Sequence, residues 1–153
     1  MVGELARYEL LTTWMIDASA ESAWEAIADF ERWPSWWTSV QRVDRLEPGS
    51  FAIVWKSALA YEVGFTMRVT RSERPWLLEG STEGELSGTG VCRVTENAGG
   101  ATRLDYEWKV RTTRAWMNVL APVARPVFKW SHDRVMQTGG QGLARLLDTR
   151  VSM

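Results

Sequence analysis

The chain has 153 residues, 45% of them hydrophobic and 24% charged, with a formal net charge of −1. That is the composition of a single soluble globular domain, 1–153, long enough to bury a core. It excludes a transmembrane helix, because no run of about 18 apolar residues exists, and the lone Cys92 excludes a disulfide framework or a cysteine-rich zinc site within one chain. The N-terminus has no basic region followed by an apolar stretch, so no signal peptide is expected and a cytoplasmic location follows. Charge is uneven along the chain. Residues 1–100 hold 9 basic and 15 acidic side chains, and residues 101–153 hold 9 and 4. The simplest reading of the basic C-terminal third is a solvated helix face. Ten tryptophans are unusual for one domain. Each needs room and a partner for its N–H, and so many suggest a cavity walled partly by aromatics.

Residues 8–16 alternate as a strand, with Tyr8, Leu10, Thr12, Trp14 and Ile16 on one face. Ser19 then offers a hydroxyl to the first turn of a helix, Glu21 suits the positive end of its dipole, and Ala20, Trp24, Ile27 and Ala28 repeat at helical spacing. Pro34 marks a break or a new first turn. Trp33, Trp36 and Trp37 follow, too close in sequence to face one way. They are candidates for a lid or for a hydrophobic plug.

From residue 40 the period becomes two. Strands are predicted over 40–47, 51–58, 61–73, 75–83, 86–96 and 102–112, punctuated by Pro48-Gly49, Arg74-Pro75 and Asn97 to Gly100. Val63, Phe65, Met67 and Val69 share one face. So do Leu104, Tyr106, Trp108 and Val110, opposite Asp105, Glu107, Lys109 and Arg111. This is a half-buried antiparallel sheet, and its short connections make a meander. Cys92, in the strand-like run GVCRVT, reads as a small buried hydrophobe. Residues 114–149 are predicted helical. Pro122 fits a first turn, and Pro126 should bend the helix. The apolar stripe changes direction, from Leu120, Val123 and Val127 to Val135, Met136, Leu143 and Leu146. Gly139 and Gly140, costly inside a helix, point to a close backbone approach or a second bend.

This order of elements carries a resemblance. The segments ASAESAWEAIADFERWPSW, GELSGTGVCRVT, YEWKVRTTRAWM and LAPVARPVFKWSHDRVMQTGG span most of the chain. On them it resembles the SRPBCC superfamily, also called START-like or Bet v 1-like, in its bacterial polyketide cyclase/dehydrase-like branch. The resemblance implies an α+β helix-grip fold: a curved seven-stranded antiparallel sheet wrapped round a long C-terminal helix, with two short helices after the first strand. It also implies a hydrophobic cavity between sheet and helix. Superfamily members bind lipids, sterols, hormones or polyketides there, and a minority do chemistry.

The candidate ligand contacts are Trp37, Trp55, Phe65, Met67, Tyr106, Trp108, Val127, His132 and Met136. His132 and Tyr106 are the catalytic candidates. A lone imidazole is more often a bonded core residue than a base, and an adjacent Asp133 does not face it on a helix. Tyr106 is at least as well explained by packing. Arg71 could reach inward as a carboxylate clamp, although Arg42, Arg71 and Arg93 fit a rim better. Glu79, Glu83 and Glu85 do not converge as a cation site needs. One histidine argues against catalytic zinc, and no nucleotide, phosphate or hydrolase motif is present. No metal and no cofactor are therefore expected. The expected partner is a small hydrophobic ligand, with no nucleic acid and no stable membrane insertion, for a monomer or homodimer. Three functions remain open. The first is binding of a hydrophobic or aromatic molecule. The second is an aromatase or cyclase-like reaction using His132 or Tyr106. The third is an interaction role for exposed tryptophans of the 33–37 cluster.

Overall fold

The computed structural model describes residues 7–56, 62–112, 121–149 and 151–152. Strand β1, Arg7–Ile16, leads into helix α1, Ala20–Ala28, then a 3-10 turn at Phe30–Arg32 and the single-turn helix α2, Trp33–Trp36. Strands β2 (Val40–Glu47), β3 (Ser50–Lys56), β4 (Glu62–Glu73), β5 (Leu77–Gly84), β6 (Leu86–Glu96) and β7 (Thr102–Thr112) follow. Helix α3, Ala121–Leu146, and the two-residue strand β8, Val151–Ser152, complete the order. The strands form one antiparallel sheet ordered β2-β3-β4-β5-β6-β7-β1-β8. This is the expected meander with β1 closing beside β7. Seven strands are long, and β8 adds a short eighth against Met15 and Ile16.

The local reasons are those the residues supply. Ser19 caps α1 by accepting from the Ser22 N–H at 3.1 Å, one of the donors a helix start leaves open. Glu21 stands in the first turn and is paired with Arg74. Pro34 sits at the start of α2, where its missing N–H costs nothing. Gly49 and Gly100 take positive φ, +79° and +88°, at the turns before β3 and β7. The alternation read in β4 and β7 is the inward face: Val63, Phe65 and Met67, and Leu104, Tyr106, Trp108 and Val110, are all buried. In β4 it ends at a bulge between Val69 and Arg71. There the two-residue period fails, and Arg71 turns out to solvent beside Glu73.

Helix α3 buries His132, Val135, Met136, Gly139 and Leu143, a helical-period face. Pro122 falls in its first turn and Pro126 in its interior. Leu120, Val123 and Val127, the other half of the anticipated stripe, lie outside the residues whose side chains are described. The glycines have a steric reason. A Cβ on Gly139 would stand 2.5 Å from the Trp37 indole and 2.9 Å from Trp14, and one on Gly142 would stand 1.7 Å from the Trp36 carbonyl oxygen. Trp37 Nε1 donates to the Val135 carbonyl at 2.8 Å, and Ser39 and Thr138 hydroxyls meet at 2.7 Å. The tryptophan turn is thus seated in the helix backbone.

An ordinary interior Gly→Ala change in a helix stabilises by about 1 kcal/mol. Gly142→Ala should do the reverse, because the obstacle is a backbone carbonyl with no rotamer to change. A loss of about 3 kcal/mol is expected from overpacking, read as a lower urea midpoint at unchanged slope.

Candidate ligand cavity

The inner sheet face meets α1 and α2 over an aromatic core. Trp14, Trp24, Trp33, Trp36, Trp37, Trp55 and Trp108 are all buried, whereas Trp76 and Trp130 are about half exposed. Rings meet edge-on or tilted, as their quadrupoles favour: Trp14 with Tyr106 at 4.8 Å, Trp55 with Phe65 at 5.1 Å and with Trp108 at 6.1 Å. Trp33, Trp36 and Trp37 are each buried, so the cluster presents no exposed aromatic patch. Trp33 donates to the Ile27 carbonyl at 3.1 Å.

Within this core lies a cavity of about 30 Å³, room for one or two waters and far below the ~300–1,000 Å³ of ligand pockets. Its wall includes Phe30, Trp33, Met67, Leu78, Tyr106 and Trp108, with Cys92 and the backbone at Gly80 and Gly90. Of the residues nominated from sequence, Met67, Tyr106 and Trp108 come together here. Trp37, Trp55, Phe65, Met136 and His132 are buried elsewhere in the core. The side chain of Val127 lies outside the described residues. Sequence reading did not nominate Phe30, Leu78, Gly80 or Gly90. The glycines carried a signal, since an isolated Gly in a strand marks a bulge or a close approach. Cys92 is buried, as its strand-like run suggests.

Polar chemistry at the wall is sparse. Cys92 and Tyr106 are cross-strand partners, and each acts on the other's titration. Burial, opposed only in part by Tyr106, pushes the Cys92 thiol up to about 12. Burial and then Cys92 hold the Tyr106 hydroxyl well above its ordinary value. Both are neutral at pH 7, so Tyr106 can donate a hydrogen bond but is no base. Arg42, Arg71 and Arg93 are exposed and paired with Asp44, Glu73 and Glu107. None reaches the wall. Glu83 is exposed, Glu85 accepts from the Gly64 N–H at 2.8 Å, and Glu79 borders the cavity alone. Among the described residues no group of acids, histidines and cysteines could hold a metal ion.

His132 is 7% exposed, and among the described residues neither ring nitrogen has a hydrogen-bond partner. The Asp133 carboxylate stands 3.8 Å from Nδ1 and is mostly in solvent, too far for a hydrogen bond. Burial lowers the imidazole pKa to about 4, with Asp133 opposing weakly. His132 is therefore neutral at pH 7. Trp14, Trp36 and Trp108 also bury N–H groups without partners among the described residues, as Thr82 does its hydroxyl, each costing about 1–3 kcal/mol.

The unfolded chain binds the His132 proton more readily than the folded one. Stability from this residue is full above about pH 6.5, is lost as pH falls toward 4, and changes no further below that. The loss is on the order of 3 kcal/mol. His132→Leu should therefore lose less stability than wild type between pH 7 and pH 4, as urea midpoints at both values would measure. Parallel losses would contradict the assignment.

The profile of the family described as "Polyketide cyclase / dehydrase and lipid transport" matches residues 9–148. Among curated proteins no sequence matches the chain. Solved structures share the fold at low identity. A START superfamily protein from Mycobacterium smegmatis is 15% identical, with 92% of this chain and 97% of that one covered and a TM-score of 0.75. The Zhui aromatase/cyclase from Streptomyces sp. R1128 is 16% identical, with 90% and 91% covered and a TM-score of 0.75. TTHA0849 from Thermus thermophilus is 13% identical, with 91% and 99% covered and a TM-score of 0.68. Among the described residues no helix is long and apolar enough to cross a membrane. With the family profile covering nearly all of a helix-grip domain, the chain belongs to the polyketide cyclase/dehydrase and lipid transport family.

Proposed function

We propose that the protein binds a hydrophobic or aromatic small molecule inside the sheet, in the space walled by Met67, Tyr106 and Trp108. One observation carries this reading: the wall is aromatic and aliphatic, and its uncharged polar side chains, Tyr106 and Cys92, are few and stand side by side as cross-strand neighbours. Such a wall rewards burial of apolar surface at about 25 cal/mol per Å². It offers little to stabilise charge developing in a reaction. Native mass spectrometry of the purified protein should reveal a co-purifying ligand. A sterol, acyl and aromatic polyketide panel should raise Tm by about 5–10 °C for a true ligand at a hundred times its Kd. No adduct and no shift across the panel would sink the reading.

A second reading, an aromatase or cyclase-like reaction, draws on Tyr106 at the cavity wall. Tyr106 would donate to a ligand oxygen as negative charge grows on it. His132, neutral and buried but away from the described wall, would have to be reached by the substrate from another side. Tyr106→Phe separates the two readings. For a binding protein it changes ligand affinity by less than about tenfold, the scale of one hydrogen bond. For an enzyme it lowers turnover of a poly-keto substrate by about 10²-fold or more while binding persists.

A further inference from the structure

We propose that the ligand's seat is the bare strip of sheet at Gly80 and Gly90, that the ligand lays a flat aromatic ring on it, and that the Trp108 indole occupies this seat until the ring displaces it. This rests on the binding function proposed above and names the ligand class for the same site.

Gly80 and Gly90 are direct partners across β5 and β6, and both lie at the cavity. Two opposed glycines in the middle of a sheet are costly, since neither packs a side chain and both lose more entropy than other residues. What they leave is a patch of backbone without side chains of its own at the cavity wall. Trp108 is the partner of Gly90 on its other side, and its six-membered ring lies over the glycine. A Cβ there would stand 2.6 Å from Cζ3, 2.9 Å from Cε3 and 3.0 Å from Cη2. Only glycine admits a ring at that depth, and a ring already lies there. Over Gly80 the neighbours are the Arg68 carbonyl oxygen and the Met67 thioether, both at 3.1 Å; of these the thioether is unbranched and easily rearranged.

The tryptophans around the cavity are not equally held. Trp33 is anchored to the Ile27 carbonyl and Trp37 to the Val135 carbonyl. Trp108 has no such anchor among the described residues, where its buried Nε1 finds no partner. It therefore loses no hydrogen bond on leaving its place and can gain one outside it. Phe30, Trp33 and Tyr106 complete the surround with ring faces and edges. A planar aromatic ligand exchanges one ring for another in that setting, keeping the offset and edge contacts rings prefer. An acyl chain gains nothing comparable from a flat floor.

The test uses 2-naphthol as aromatic probe and decanoate as acyl probe. Wild-type protein labelled with 5-fluorotryptophan is titrated by fluorine NMR, with the Trp108 signal assigned from Trp108→Phe. The expected result is a saturable shift with 2-naphthol, largest at Trp108 and absent at Trp24. Trp108→Ala, with no indole to displace, should bind 2-naphthol at least tenfold more tightly than wild type. Adding Gly90→Leu in that variant, where the space vacated by the indole receives the new side chain, should remove the gain. Binding of 2-naphthol with the Trp108 signal unmoved, or undiminished binding in the Gly90→Leu/Trp108→Ala protein, would overturn the seat and leave cavity binding standing. Decanoate producing the same Trp108 shift would overturn the aromatic class. Failure of every probe with every variant would overturn the binding function and this inference with it.

Discussion

The contact between α3 and the turn at Trp36 and Trp37 sets where the rest of the molecule can lie. At Gly142 the helix backbone stands so near the Trp36 carbonyl that no Cβ fits, and at Gly139 it makes room for the Trp37 indole. That indole then bonds to a helix carbonyl and touches Trp14, Trp33 and Tyr106. Backbone-to-backbone approach of this kind has no rotamer to relax. The depth of the helix over the sheet is therefore fixed at this end, and the room beneath it can change only through side chains on the sheet's inner face. Trp108 and Met67, which lie over glycine rather than over side chains, are the two with somewhere to move from.

Much of this was legible in the sequence, for physical reasons that can be located. Strict alternation in β4 and β7 reports which side chains turn inward, because the pleat has a period of two. Ser19 announced its helix because a hydroxyl before an apolar repeat answers a specific unmet donor. Gly139 announced a close approach because glycine inside a helix has a cost that packing must repay. Other features had no such signal. Strand β8 is two residues long, too short for any period. The bulge at Val69 breaks the alternation that placed Arg71 on the inner face. Gly142 differs from Gly139 only in what stands opposite it, which is a tertiary fact.

The cavity shows the limit most clearly. Periodicity assigned Phe65 to the inner face, and it is buried there, yet it packs on Trp55 rather than on the cavity. Pattern reports the side of a sheet on which a residue stands. Whether neighbouring inward residues leave space between them depends on rotamers and on partners several strands away. The same holds for His132, which lies on the buried face of α3, as the helical period implied, without reaching the described wall where Tyr106 stands. Side and depth are separate properties, and only the first is written in local sequence.

The unpartnered polar atoms bear on how this core is tuned. A core built for stability alone satisfies its donors and fills strand interiors with side chains that pack. Here the indole N–H groups of Trp14 and Trp108 and both nitrogens of His132 are buried without partners among the described residues, and two opposed glycines occupy the centre of the sheet. Each of these departures weakens the closed state. They share the buried interior, His132 on α3 and the rest on the inner face of β1, β5, β6 and β7, while the outer face of β7 carries ordinary ion pairs such as Arg103 with Asp105 and Lys109 with Glu107. Costs concentrated on one face are expected where function sets the residues, because local rules fail at sites that must accept something else. On that argument the small volume of the cavity and the poor satisfaction of its surroundings fit one proposal: a closed core from which a ligand would displace a side chain.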